Sequence, residues 1–447
     1  MAGTLEKQTD DSSINYFIEV MVVFSLMSRL GFPGNLTIVF GGPSLGKLID
    51  YGVSVLQLVI IMMCSANNIL EIKLLQVKKK HLPIYLMLAI MYSISLAVNP
   101  NKVKQTTILI RFSITIFFGL WMGDNYDMEH LLNLTYFAVI GNVSANLLTL
   151  FVFRNAGFHY DEDYGYCFSG LYAQKNALGG VFAVGLTLQY ALFRLKLRKK
   201  QPISKFFWGM FAIQAAVLAY SQATTAAFTA IMTIVYLTVY EKLNNRNLRI
   251  QWGLVYVVAS VSFMIVAMTV IPLFTPFLEA IGKDATLTGR IPMWDKMFDF
   301  LLENNTMTGY GVFQFWETPS ALNKLHTYYE RNSWYRRMEN GAHSNMMEMW
   351  LDTGLIGLSA YYLTLIYVFR DVKWLSNDQY NLVSVLMMPL LIAGLTDRIY
   401  NNQNYTSLFL FVMLSIACDG AEKKKKARRK ARRLRGRRFV QNEATQE

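Results

Sequence analysis

The chain has 447 residues, of which 53% are hydrophobic and only 16% charged; an ordinary soluble chain carries about 25% charge. With a mean hydropathy of +0.27 it lacks the charge to cover a soluble surface, which excludes a soluble enzyme or nucleic-acid-binding domain and points to a polytopic membrane protein. The net charge of +13 is local: twelve Lys/Arg lie in the run 423–438, and without them the chain stands at +1.

In chain order, residues 1–14 read as a polar cytoplasmic N-terminus with no cleavable leader. Apolar windows of about 20 residues, the length that crosses a bilayer, follow at 15–33, 48–70, 82–98, 107–123, 131–153, 176–194, 205–220, 222–240 and 251–271. After a long polar connection at 272–345, three more follow at 346–369, 380–397 and 403–419, and the basic tail occupies 420–447. The expected fold is therefore all-α, with about twelve transmembrane helices. The seventh and eighth, meeting at Tyr220 and Ser221, read as a hairpin with almost no loop.

Orientation follows from the basic connections. Lys73 and Lys78–Lys80, the cluster from Arg194 to Lys205, the trio Lys242, Arg246 and Arg249, and the tail all fall on one side. The positive-inside rule makes that side the cytoplasm, with both termini inside and the tail resting on anionic lipid. Lys102 and Lys104 dissent. The connection 272–345 then faces outward, and its aromatic residues (Tyr310, Phe313, Phe315, Trp316, Tyr328, Tyr329, Trp334, Tyr335) argue for an ordered external domain. Cys64, Cys167 and Cys418 form no disulfide or metal pattern.

Four stretches carry residues suited to chemistry. Lys175, beside Asn176 at the outer start of the sixth span, could snorkel to headgroups or meet a phosphate in a cavity. Residues 287–303 read as a helix capped by Thr288 or Gly289, with Pro292 in its first turn and Ile291, Trp294, Met297, Phe298, Leu301 and Leu302 on one apolar face. Arg290 then stands at the helix N-terminus, where free N–H groups and the dipole favour an anion; the bland alternative is a surface arginine. Gly309-Tyr310-Gly311 indicates a tight turn. His343 sits at the mouth of the tenth span, suited to relay a proton near neutral pH or simply to hydrogen-bond at the interface.

Together these stretches resemble the O-antigen ligase/polymerase family of membrane glycosyltransferases, which contains the Wzy-type polymerases. Its GR-x-x-x-W helix stands as Gly289-Arg290 with Trp294, its G-x-G turn as Gly309-Tyr310-Gly311, and its H-[NS]-x-x-x-E start as His343-Ser344 with Glu348, followed by Gly354 and Gly357. An earlier G-x-x-x-HKN-x-x-G pattern stands as Gly170 to Gly179, with Gln174 replacing the histidine, and an S-x-S-R-T-like sequence stands as Ser221-Gln222-Ala223-Thr224-Thr225 without its arginine.

The resemblance implies a GT-C-like enzyme of the inner (cytoplasmic) membrane with its site on the external or periplasmic face. It implies His343 and Arg290 as catalytic residues, Lys175, Asn176, Trp294, Gly309, Tyr310 and Gly311 at the donor, and Asn345 and Glu348 in support. The expected reaction joins polyprenyl-pyrophosphate-linked oligosaccharides into a growing glycan chain. Membrane lipids are further partners, a chain-length regulator is a candidate one, and no nucleic-acid partner and no cofactor are expected. No metal is expected either, because the loop lacks DxD spacing; Asp295 and Asp299 beside Lys296 read as a solvated stripe. The alternatives are a ligase moving finished glycan to a lipid or protein, and a flippase or other transporter, for which Arg111 inside the fourth span is the best residue.

Overall fold

A computed structural model describes residues 2–32, 43–66, 79–161, 165–172, 174–243, 245–275, 289–330, 333, 341–397 and 405–444. Within them run the helices α1 (Ala2–Arg29), α2 (Pro43–Ala66), α3 (Leu82–Val98), α4 (Lys102–Asn125), α5 (Met128–Phe151), α6 (Lys175–Arg198) and α7 (Lys205–Tyr220). The rest are α8 (Thr224–Leu243), α9 (Trp252–Ile265), α10 (Arg290–Glu303), α11 (Pro319–Tyr328), α12 (Asn345–Phe369), α13 (Asn377–Thr396) and α14 (Tyr405–Ala444). A hairpin of two four-residue strands, β1 (Phe158–Asp161) and β2 (Gly165–Phe168), is the β-structure among the described residues. It is an addition to the expected all-α architecture, too short for its alternation to stand out in the sequence.

Among the described residues, ten helical stretches are long and apolar enough to cross a membrane, by length and composition. Two of the twelve expected spans are not among them. The first is the second half of α1, whose leading half is polar. The other is α7: its 16 residues rise about 24 Å, short of a hydrocarbon core of about 30 Å. The predicted tight hairpin stands here, with only Ser221, Gln222 and Ala223 between α7 and α8.

Ion pairs define one end of the bundle. Lys80, before α3, bonds Asp124 at the end of α4 at 2.5 Å and Asp419 of α14 at 2.7 Å. Arg194, late in α6, meets Glu241, late in α8, at 2.5 Å, and Glu241 also accepts from Asn381 of α13. Arg249, before α9, donates to the carbonyls of Lys373 and Leu375 beyond α12. The basic segments gather at this end; Lys73 and Lys78 lie outside the described residues. The starts of α6, α8, α12 and α14, and the ends of α9 and α13, therefore share the opposite end.

α12 is broken there. Gly354 has φ +65° and ψ −174°, outside helical space. The residues 306–311 pair with the gap as a strand would. Tyr310 N and Gly311 N donate to the carbonyls of Leu351 and Asp352 at 3.0 and 2.7 Å, and Leu355 N and Ile356 N donate to those of Thr306 and Met307 at 2.9 and 3.2 Å. Buried backbone groups freed by a break must find such partners.

Candidate active site

α10 begins as the sequence implies. Gly289 caps it with φ +75°, a left-handed conformation open to glycine, and Arg290 is its first residue; Thr288 lies outside the described residues. Ile291, Met293, Trp294, Met297, Phe300 and Leu301 form the buried face. Leu302, expected on that face, is 55% exposed, because 100° per residue carries it past the edge defined by Leu301. Asp295 and Asp299 pair with Lys296 on the outer face at 3.0 and 3.3 Å.

His343 stands in a loop pinned from two sides. The Trp294 indole donates to the carbonyl of Ala342 at 2.7 Å, and the Ala342 amide donates to Glu348 Oε1 at 2.5 Å. The second Glu348 oxygen accepts from Trp316 Nε1 at 2.9 Å. Between these anchors His343 takes φ +48°, a conformation a non-glycine residue adopts only when its surroundings impose it. Asn345 bonds the Tyr256 hydroxyl at 2.9 Å and fixes the first turn of α12 to α9. α9 itself passes into a π-turn at Val266–Val270 beside this loop, a distortion common near functional sites.

Arg290 and His343 are both half-buried, and the Arg290 guanidinium is close enough to shift the ionisation of His343. Burial, then the Arg290 guanidinium, holds His343 below the usual histidine value, and Asp397 at the end of α13 opposes this. Burial lowers Arg290 below the usual guanidinium range, again against Asp397. Asp397 thus completes a cluster with Arg290 and His343. No motif marks Asp397 in the sequence; the signal it offers is a carboxylate closing an apolar span.

The other candidates divide. Trp294 is fully buried and acts on the loop of His343 rather than facing a cavity. Glu348 and Asn345 hold that loop in the same way. Gly309 turns at φ +61° against the break in α12, where an added Cβ would lie 2.7 Å from the Asp352 carbonyl; Gly311, at φ +104°, carries the next pairing. Tyr310 stacks on Phe300 and meets Phe315 edge-on, so these aromatics form the loop's core. Trp334 and Tyr335 lie outside the described residues.

Lys175, 6% exposed, starts α6 with its Nζ 3.9 Å from Cys167 Sγ of the β-hairpin; Asn176 beside it is exposed. α6 reaches the cluster through Tyr405, whose hydroxyl lies 2.8 Å from where a Gly180 Cβ would stand and within electrostatic reach of Asp397. The turn after α7 packs here too, with Ala223 directly against Gly179. At the same end, Arg111 stacks over the Tyr51 ring at 4.1 Å, which gives that arginine a packing partner at its depth in the bundle.

Comparison with known proteins fits this arrangement. Residues 207–362 match the family model described as O-Antigen ligase, a segment that includes Arg290, His343 and Glu348 and leaves out Lys175 and Asp397. The chain is also 26% identical over 245 residues to the exopolysaccharide production protein ExoQ of Rhizobium meliloti (strain 1021), covering 53% of this chain and 54% of the relative. The chain thus spans about half the length of the curated relative it matches. With ten membrane-length helices among the described residues and its motifs drawn to one end of the bundle, the chain is an integral membrane protein that resembles the O-antigen ligase family over residues 207–362.

Proposed function

We propose that the chain is a polysaccharide polymerase of the cytoplasmic membrane, joining polyprenyl-pyrophosphate-linked oligosaccharides at the outer face. The observation that carries this reading is the convergence of Arg290, His343 and Asp397 at the end of the bundle remote from the basic segments. The positive-inside rule puts those segments in the cytoplasm and the cluster outside.

In the reaction, an acceptor hydroxyl oxygen attacks the anomeric carbon of the donor sugar as the bond from that carbon to the pyrophosphate oxygen breaks. The leaving pyrophosphate gathers negative charge, which Arg290 and the first turn of α10 would receive in a half-dry site. His343, held below its usual ionisation range, is neutral near pH 7 and free to take the hydroxyl proton. Asp397 would then stabilise the imidazolium formed. Lys175 and Asn176, at the start of α6, would meet the donor's phosphates or sugar, and the apolar helices would flank the polyprenyl tail.

The relative's name, an exopolysaccharide production protein, favours polymerisation; the family description favours a ligase, which would use the same cluster on a different acceptor. Purified protein given a lipid-linked repeat unit decides: a ladder of products supports the polymerase, a single transfer to another acceptor the ligase. Absence of any transfer would leave the transporter. Arg290→Ala and His343→Ala should each abolish product while the protein accumulates in the membrane. Full activity in either variant would remove that residue from the mechanism.

A further inference from the structure

The basic end of the bundle holds a cleft that the proposed chemistry does not use. It is an open surface cleft of about 360 Å³. One wall is Arg370 and Asp371, just past α12. The other is one face of α14, with Lys424, Lys425, Arg428 and Arg429 above the small side chain of Ala421. Lys424 with Arg428, and Lys425 with Arg429, stand four residues apart, so the four cations form two neighbouring rows along that side of the helix.

The cleft is built rather than incidental. Asp371 is 3% exposed and bonds Lys424 at 2.5 Å and Arg370 at 3.4 Å, so a single carboxylate holds both walls. Gly420 lets the helix approach the Asp371 turn, since a Cβ there would come within 2.4 Å of the Asp371 carbonyl. Arg370 also stacks over Tyr367 at 4.6 Å. Five cations face this space against one carboxylate already engaged twice. Lys424 and Arg428, and Lys425 and Arg429, repel as like charges one helical turn apart. An anion between the walls would relieve that repulsion.

Its depth identifies the anion. The last apolar span ends at 419, and Lys424 and Lys425 follow five and six residues later, about 8 Å further along the same helix, at headgroup depth. Tyr367 and Trp374, 52% and 37% exposed, mark the same level as aromatic residues do at a membrane interface. We infer that this cleft binds the phosphate of an anionic lipid headgroup, clamped between Arg370 and the first basic turns of α14.

The test uses the full chain purified in zwitterionic detergent and titrated with phosphatidylglycerol, with inorganic phosphate as a separate arm. Bound lipid is counted by native mass spectrometry. The double variant Arg428→Gln/Arg429→Gln should weaken lipid binding about tenfold or more, as loss of charge-assisted hydrogen bonds does. Lys426→Gln/Lys430→Gln removes the same charge from exposed positions outside the cleft and should stay within about twofold of wild type. Equal weakening in both would mean a diffuse basic surface and overturn the site, as would no weakening in either. Saturation by inorganic phosphate with no lipid retained would overturn the lipid assignment.

Discussion

Replacing Glu348 by glutamine asks whether the loop of His343 is held in place by a carboxylate clamp. The two oxygens of Glu348 accept from Ala342 N at 2.5 Å and Trp316 Nε1 at 2.9 Å, with the side chain buried. Hydrogen bonds to a charged group contribute about 1.5–3 kcal/mol each. Glutamine keeps one acceptor oxygen and turns an NH2 toward the other donor, so one bond is lost and two donors face each other. His343, at φ +48°, carries left-handed strain of about 1–2 kcal/mol. The lost bond is as large as the strain it offsets, and each 1.4 kcal/mol is about tenfold in the population of the native loop. The rate of transfer from a lipid-linked donor should fall about 10- to 100-fold, with the protein still folded by its thermal midpoint in detergent. His343→Gly should be inactive yet more stable by about 1 kcal/mol, since it releases the strain. A Glu348→Gln variant at full rate with an unchanged midpoint, or a His343→Gly variant less stable than wild type, would refute the reasoning.

Three further outcomes follow from the geometry. Because burial and Arg290 depress His343 below about 6.5, the acid limb of the rate–pH profile should lie below that value. Asp397→Asn, which removes the opposing carboxylate, should move the residual limb to still lower pH; an upward shift would contradict the assignment. Gly354→Ala should lower the thermal midpoint sharply, since its φ of +65° and a Cβ 2.2 Å from the Met307 carbonyl leave no room, while Gly52→Ala, with nothing within 4 Å, should leave it unchanged or raised. Lys175→Met should raise KM for the lipid-linked donor about tenfold, the scale of one charge-assisted contact; an unchanged KM would remove Lys175 from the donor site.

Apolar windows made most of the helices legible, and the 3.6-residue period gave most of the buried face of α10, because both depend on local pattern alone. The exceptions are instructive. Leu302 is a large apolar residue one step beyond a face it does not share, and type alone could not exclude it. Gly309 and Gly311 were readable as a turn, but what they turn against, the break at Gly354, lies on another element and becomes visible only when the two backbones pair. Trp294 reads as a ligand contact in a motif and proves to be a hydrogen-bond donor to the loop of His343. Asp397 has no motif around it. Its meeting with Arg290 and His343 depends on the packing of α13 beside α12, which no local period encodes.

The pairing of 306–311 with 351–356 has a mechanical consequence. The four amide-to-carbonyl bonds across the gap make the loop part of the membrane helix's own backbone circuit. Any displacement of residues 306–311 must therefore be shared by the backbone on both sides of Gly354, in the same helix that begins just after His343. The loop is in this sense a lever rooted inside the bilayer rather than a cover resting on top of it.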